Sequence, residues 1–304
     1  MRSNPIRIFL ALVTALALGA GAASAGDAVT LTHVHGLAFS ADGSRLMIPS
    51  HHGLAIFETN GKGRWSKADG PAHDYMGFAA TRDALYSSGH PAPGSGLVNP
   101  FGLIKSVDGG KTWRKLGLEG ESDFHLLAAG YASHAVYVLN PGTNSRMAQP
   151  GLYRTENDGL RWTRAAAKGL GGEVKCLAAH PGDARIVAVG TADGLYLSRD
   201  AGERFERLVA GVPVLGVAFD LGGAHLWFSS YAGQAALARL ALAAGAKPQV
   251  LAIPALGEDA VAYIAQNPAG RNEIAIASFK RNVHLSRDDG RTWQPIARNG
   301  ATHE

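Results

Sequence analysis

Short apolar stretches alternate with polar, glycine-containing turns along most of this chain, a pattern typical of many short strands joined by tight turns. The clearest turns are four copies of one eight-residue pattern, which begin at Ser106, Thr155, Ser198 and Ser286. Each copy has Ser or Thr first, Asp or Asn third, Gly fifth and an aromatic residue eighth. The third side chain can cap backbone N–H groups, and glycine accepts the positive φ of a tight turn. Each copy therefore predicts a hairpin between two strands.

The spacing of these copies predicts the number of units in the fold. Successive copies are about 45 residues apart, and the last interval is twice as long. We infer that one copy has eroded near Ala244 and that a degenerate copy surrounds Thr59. Six units of four short strands predict an all-β, six-bladed β-propeller, and a seven-bladed ring is the less favoured alternative. The residues assigned to the structural turns are Ser106, Asp108, Gly110, Trp113, Thr155, Asn157, Gly159, Trp162, Ser198, Asp200, Gly202, Phe205, Ser286, Asp288, Gly290 and Trp293.

The four copies resemble the BNR or Asp-box repeat of sialidases, sortilin-type receptors and a photosystem II assembly factor. The segments HDYMGF (residues 73–78), SSGHPAPGS (87–95) and ESDFHLLAAGY (121–131) are similar to exported bacterial propellers described as glycosylhydrolase-like. The resemblance implies a propeller whose Asp boxes are structural turns. It also implies a glycosylhydrolase-like activity, without specifying a mechanism.

The first strand of each predicted blade carries the candidate chemistry. These strands begin at His33, Asp74, Asp123, Glu173, Pro213 and Ala260. Their second residues are β-branched or aromatic, so that side of the strand should pack against neighbouring blades. Their third residues are His35, Met76, His125, Lys175, Leu215 and Ala262. Because first strands line the channel of a propeller, four adjacent blades should gather polar side chains at one channel mouth.

The loops between second and third strands should reach the same mouth, because they lie beside the start of the first strand. The candidate ligand-binding residues are His51, His52, His73, His90, Lys175 and Tyr231. The candidate metal ligands are His33, His35 and His125, since histidine is a frequent ligand of metal ions. Zinc is one candidate ion, and copper is another if Met76 or Met147 supplies a softer donor. The expected partner is a small polar ligand or a glycan, whereas polar side chains that bond only to each other are the structural alternative.

Asp74, Asp123 and Glu173 occupy equivalent positions in consecutive blades and are the candidate catalytic residues, since a glycosidase needs two carboxyl groups about 5–9 Å apart. A sialidase mechanism is not expected. Sialidases bind a carboxylate with three arginines, whereas only two arginines of this chain, Arg146 and Arg281, fall in predicted mouth loops. The alternative is a non-catalytic binding or assembly-factor propeller. Accessible acids at a catalytic separation would favour hydrolysis, whereas acids locked onto histidines would favour a metal or structural site.

The N-terminal residues predict export from the cell. A positively charged start and an apolar run precede a small-residue cleavage site at Ala25, so residues 1–25 predict a signal peptide and residues 26–304 a single propeller domain, periplasmic or secreted. No later apolar run reaches the length of a membrane span.

The formal charge of the chain is +4, and its Lys and Arg residues are scattered, which does not indicate nucleic-acid binding. Cys176 is the only cysteine, so no internal disulfide can form, and we expect a monomer.

Overall fold

A computed structural model of the chain describes Met1, residues 29–61 and residues 63–302. Apart from Met1, the predicted signal peptide lies outside these described residues. Within them the regular secondary structure consists of strands, with no helix. Accordingly, a search of the same residues for an apolar helix of membrane-spanning length gives no candidate.

The strands form six antiparallel sheets, each of which is one blade of a propeller. Blade 1 contains β1 (Ala38–Phe39), β2 (Arg45–Ser50), β3 (Gly53–Glu58) and β4 (Arg64–Lys67). Blade 2 contains β5 (Asp74–Ala80), β6 (Leu85–His90), β7 (Leu103–Ser106) and β8 (Arg114–Gly117). Blade 3 contains β9 (Leu127–Ala129), β10 (Val136–Asn140), β11 (Gly151–Thr155) and β12 (Thr163–Arg164).

Blades 4 to 6 repeat this order of strands from the channel outward. Blade 4 contains β13 (Val174–Ala179), β14 (Val187–Thr191), β15 (Gly194–Ser198) and β16 (Glu206–Ala210). Blade 5 contains β17 (Val214–Phe219), β18 (His225–Tyr231), β19 (Ala235–Ala241) and β20 (Gln249–Leu251). Blade 6 contains β21 (Val261–Gln266), β22 (Ile274–Ser278), β23 (Val283–Ser286), β24 (Gln294–Arg298) and β25 (Ala301–Thr302). The predicted all-β, six-bladed propeller is therefore confirmed.

The four repeated turns join the third and fourth strands of their blades and share one hydrogen-bond pattern. The hydroxyl of the first residue accepts a hydrogen bond from the N–H of the fifth-position glycine, as between Gly110 N and Ser106 Oγ at 2.9 Å. The acid or amide at the third position accepts the N–H four residues later, as between Thr112 N and Asp108 at 2.9 Å. The two eroded copies still connect β3 to β4 and β19 to β20. Strand pairing therefore preserves a hairpin even where the capping acid is lost.

Six apolar clusters fill the spaces around the blades. Of the second residues of the inner strands, Tyr75, Phe124, Val214 and Val261 are fully or almost fully buried, as their apolar character predicts. Cys176 packs against one cluster, and burial raises the pKa of its thiol to about 12. The thiol is therefore protonated at neutral pH and acts as a small apolar group.

The ring closes between blades 1 and 6. One cluster contains side chains from both blades, and Trp65 Nε1 donates a hydrogen bond to the Ile296 carbonyl at 3.2 Å. The segment TWQPIA (residues 292–297) contributes to β24, the fourth strand of blade 6. The segment before blade 1 pairs further out, where Thr30 bridges to Ala301 of β25 and Leu31 N donates to Gly300 O at 2.8 Å. Both ends of the described propeller thus complete the same sheet.

Candidate histidine and carboxylate site

The inner strands surround a central cavity of about 250 Å³. Its lining is mainly apolar, and His35, His125 and Lys175 are its basic side chains. All three occupy the third position of their inner strands. The alignment of the repeats therefore places these polar groups in the channel wall, as expected from the sequence.

The backbone is irregular at this third position in every blade. In blades 2, 4, 5 and 6 the pairing of the first two strands shifts register there, as between Val174 and Cys176, which leaves Lys175 unpaired. In blades 1 and 3 the inner strand begins later than the sequence predicts, at Ala38 and Leu127. A β-bulge releases a residue from the ladder and redirects its side chain. The third position thus lies outside the regular strand ladder in these blades, by a bulge at Lys175 and by a late strand start at His35 and His125, and all three side chains line the channel.

Three imidazoles form the first cluster, which consists of His33, His35 and His51. One ligand atom from each of these residues lies within 4.8 Å of the others. The ring centroids of His33 and His51 are 4.2 Å apart, and those of His35 and His51 are 5.1 Å apart. The loop between β2 and β3 carries His51 to the two histidines of the first segment. These nitrogens are close enough to surround one metal ion.

Asp74 at the start of β5 adjoins this first cluster. Its Oδ2 lies 2.6 Å from His51 Nδ1, and its Oδ1 lies 3.8 Å from His35 Nε2. His35 Nε2 and Asp74 Oδ1 are both buried without a hydrogen-bond partner. A buried polar atom normally has a partner, so these two atoms are candidates to bind an ion, a ligand or a water molecule.

A second cluster lies in the same mouth and consists of His90, Asp123 and His125. Asp123 Oδ2 lies 2.7 Å from His125 Nε2 and 3.2 Å from His90 Nε2. His90 Nδ1 lies 2.7 Å from the Asn99 side-chain oxygen, which favours a proton on Nδ1. Asp123 Oδ1 is buried without a partner, as Asp74 Oδ1 is. The two equivalent acids of blades 2 and 3 thus have equivalent surroundings.

Burial lowers the pKa of two imidazoles of the first cluster, His35 and His33. It lowers the pKa of His35 to about 4, although the charge of Asp74 acts in the opposite direction. Desolvation, followed by the charges of His51 and Arg281, lowers the pKa of His33. A neutral imidazole offers the lone pair that a metal ion requires. His35 is consequently a ready ligand at neutral pH.

The other predicted site residues are placed differently from the two clusters. His52 is exposed, and Tyr231 is half-buried at the end of β18. Glu173 is 76% exposed and pairs with Lys175 Nζ at 2.7 Å. His73 is buried against Tyr75 and Phe101 and accepts a hydrogen bond from Ala92 N at 2.9 Å. His73 therefore stabilises the loop after β6 and is buried, instead of being accessible to a ligand as the sequence suggested.

The two arginines of the predicted mouth loops bond to backbone carbonyls. Arg146 donates to Leu116 O at 3.0 Å and to Gly159 O at 2.6 Å, while Arg281 donates to Thr32 O at 3.0 Å. These contacts give both side chains a structural role and do not form a carboxylate clamp.

Sequence reasoning missed two residues of the mouth, Asn99 and Phe279. Asn99 orients His90, and its long loop, rich in Pro and Gly, was the available signal. Phe279 lines the channel and is 60% exposed. Phe279 follows an apolar strand, so the sequence around it does not show whether its ring is exposed or buried in the core.

No sequence-family model and no curated protein match this chain. Solved structures share its fold. A GH74 enzyme from Niastella koreensis has a TM-score of 0.59 and 16% identity, covering 88% of this chain and 46% of that chain. The GH74 xyloglucanase of Xanthomonas campestris has a TM-score of 0.55 and 17% identity, covering 89% and 46%. YCF48 from Cyanidioschyzon merolae has a TM-score of 0.50 and 14% identity, covering 90% and 87%.

The chain thus spans less than half the length of the two GH74 structures. At these identities the likeness establishes the propeller fold and not an activity, because one fold supports unrelated functions.

Proposed function

We propose that this protein is an exported propeller that binds a divalent transition metal ion, best matched by zinc, at the channel mouth. His33, His35 and His51 are the ligands. The observation that carries the proposal is that their ligand atoms all lie within 4.8 Å of one another. Zinc binds imidazole nitrogen, and sites with three protein ligands keep a fourth position for water or a small polar ligand.

The unpaired atoms around the cluster support the same proposal. Leaving His35 Nε2 buried without a partner costs about 1–3 kcal/mol, which a bond to a metal ion would remove. Asp74 Oδ2 lies within hydrogen-bond distance of His51 Nδ1. A proton on Nδ1 leaves the lone pair of Nε2 available to bind a metal ion. A carboxylate that orients a ligating imidazole in this way is common in zinc sites. Asp74 is therefore proposed as a positioning residue.

The donor set favours zinc over copper(I). Copper(I) prefers sulfur ligands, and Met147, one of the two methionines considered from sequence, is 1% exposed in the core of blades 2 and 3. The first cluster itself offers only imidazole nitrogen. A three-nitrogen site with an open position is the arrangement that zinc accepts.

The proposed activity is binding without glycoside cleavage. Glycosidases need two carboxyl groups that can reach opposite sides of one sugar bond. Asp74 and Asp123 instead point an oxygen at imidazole nitrogens, at 2.6 and 2.7 Å, and Glu173 is an exposed partner of Lys175. From the sequence, acids held by histidines were expected to favour a metal or structural site over hydrolysis. We expect no turnover of aryl glycosides by the purified protein.

Zinc titration of chelator-treated protein tests the proposal. Wild-type protein should bind about one zinc ion per chain, and a His35→Ala, His51→Ala double variant should bind none in the same range. His52→Ala is the matched control, because His52 is the next residue in the same loop and is exposed. Equal zinc content in the wild-type protein and a folded double variant would overturn the proposal.

Export is the second part of the proposal and is tested separately. The predicted signal peptide, residues 1–25, supports it. Fractionation of expressing cells should place the protein outside the cytoplasm, with Gly26 as its first residue by N-terminal sequencing. Recovery of uncleaved protein in the cytoplasm alone would contradict this part.

A further inference from the structure

The channel mouth has a polar half and an apolar half. Blades 1 to 4 supply the two histidine clusters and Lys175, whereas blades 5 and 6 place Leu215 and Ala262 at the third position. Phe279, in the loop after β22, adds an aromatic ring beside them, and its backbone N–H donates to Ala260 O at 3.1 Å. A ligand seated in this mouth therefore contacts imidazoles on one side and hydrocarbon on the other.

Phe279 differs from the other exposed apolar side chains. Among the large apolar residues exposed in the described part of the chain, it is the one aromatic residue and the one that lines the channel. Isolated exposed apolar residues are ordinary, so Phe279 is informative only because it adjoins the apolar part of the channel lining.

Below the mouth the cavity is walled by aliphatic side chains. Leu37, Leu177, Val217 and Ile264 are among its lining residues, and its volume is about 250 Å³. Side chains of this kind would bury the hydrocarbon part of a small ligand that enters the channel. The cavity therefore continues the apolar half of the mouth downward.

We propose that the ligand of this site is a small amphipathic carboxylate. This inference rests on the proposed zinc site, whose open position would take the carboxylate oxygen. The hydrocarbon body would lie against Phe279 and Leu215 and enter the channel. A sugar fits less well, because its hydroxyl groups would face Leu215, Ala262 and Phe279 without hydrogen-bond partners.

A homologous series of straight-chain carboxylates tests the inference. Propionate, butyrate and hexanoate are titrated into zinc-loaded protein by calorimetry. The association constant should rise roughly fourfold for each added methylene group that enters the channel. A carboxylate held by zinc alone would bind with the same affinity at every chain length, and that result would overturn the inference.

Two variants locate the apolar contact. Phe279→Ala should reduce the gain per methylene group and leave zinc content unchanged. Leu160→Ala is the matched control, because Leu160 is 77% exposed in a turn at the other face of the propeller. An unchanged series in Phe279→Ala, or an equal loss in both variants, would contradict a role for Phe279.

Straight-chain 1-alcohols on metal-free protein separate the two proposals. They need no metal, so their affinity should rise with chain length even if zinc does not bind. A chain-length effect without zinc binding would overturn the metal site and retain the apolar subsite. Zinc binding without any chain-length effect would retain the metal site and overturn the apolar subsite.

Discussion

Asp74 on β5 and His90 on β6 are direct cross-strand partners. Paired residues of antiparallel strands lie on the same face, about 4.5–5.5 Å apart at Cβ. Their side chains nevertheless serve different clusters, since Asp74 contacts His51 and His90 contacts Asp123. Blade 2 therefore links the two histidine clusters through one pair of residues.

Because Asp74 and Asp123 contact different histidine clusters, their effects on zinc binding can be measured separately. Asp74→Asn should weaken zinc binding by about 10–100-fold, because His51 loses the carboxylate that fixes its tautomer and ring orientation. Asp123→Asn removes the equivalent acid of the second cluster and should change zinc affinity far less. Competition with a chelating dye measures both constants. Equal losses in the two variants would show that the clusters do not act separately.

The stability of the metal-free protein should depend on the protonation of His35. Burial lowers the pKa of His35 to about 4, against about 6.5 in an unfolded chain. Between these values the unfolded chain binds a proton that the folded protein does not. Stability is therefore complete above pH 6.5 and falls as the pH drops toward 4, by at most about 3 kcal/mol.

Urea unfolding at pH 7.5, 5.5 and 4.5 measures this dependence. The decrease should be smaller in His35→Gln, which cannot be protonated there. His52→Gln, at an exposed position, should retain the wild-type decrease. A decrease that is the same in all three proteins would assign the effect to other groups.

The sequence predicted the blades because their determinants are local. The turn residues act within a few positions of each other, as between Ser106 and Gly110, and the repeat period carries this information around the ring. The same period placed His35, His125 and Lys175 in one channel wall. When a strand recurs in the same environment in each blade, the position of its residues can be predicted without knowing the contacts between distant parts of the chain.

What could not be predicted depends on contacts between blades. β1 and β9 begin later than predicted, and the ladder has a bulge at Lys175. These features depend on the register of strand pairing, which the identity of a single residue does not specify. The burial of His73 depends on Tyr75 and Phe101 closing around it. Tertiary packing, and not residue type, decided these positions.

Asp158 of blade 3 forms hydrogen bonds with side chains of blade 2, and we expect these bonds to stabilise the folded protein. It accepts hydrogen bonds from Tyr86 Oη at 2.7 Å and Lys105 Nζ at 2.9 Å, and its own side chain is 28% exposed. Asp158→Asn removes the charge and keeps a residue that tolerates the positive φ of 56°. We expect a loss of about 1–2 kcal/mol in the free energy of unfolding.

Asp69→Asn is the control for this variant. Asp69 is 85% exposed and lies 4.0 Å from Lys111 Nζ. A surface pair of this kind contributes about 0–1 kcal/mol, so the control should unfold almost as the wild-type protein does. Similar losses in both variants would contradict a specific connection between blades 2 and 3.

Leu31 should be the residue through which the N-terminal segment stabilises the closed ring. Its side chain is fully buried in the cluster shared by blades 1 and 6, and its N–H bonds to Gly300 O. Leu31→Ala should lower the free energy of unfolding by about 2–5 kcal/mol, because it leaves a cavity at the junction. Leu160→Ala, at an exposed position, should cost less than about 0.5 kcal/mol. If Leu31→Ala also costs that little, closure rests on the other contacts between blades 1 and 6, such as Trp65 with Ile296, and not on the N-terminal segment.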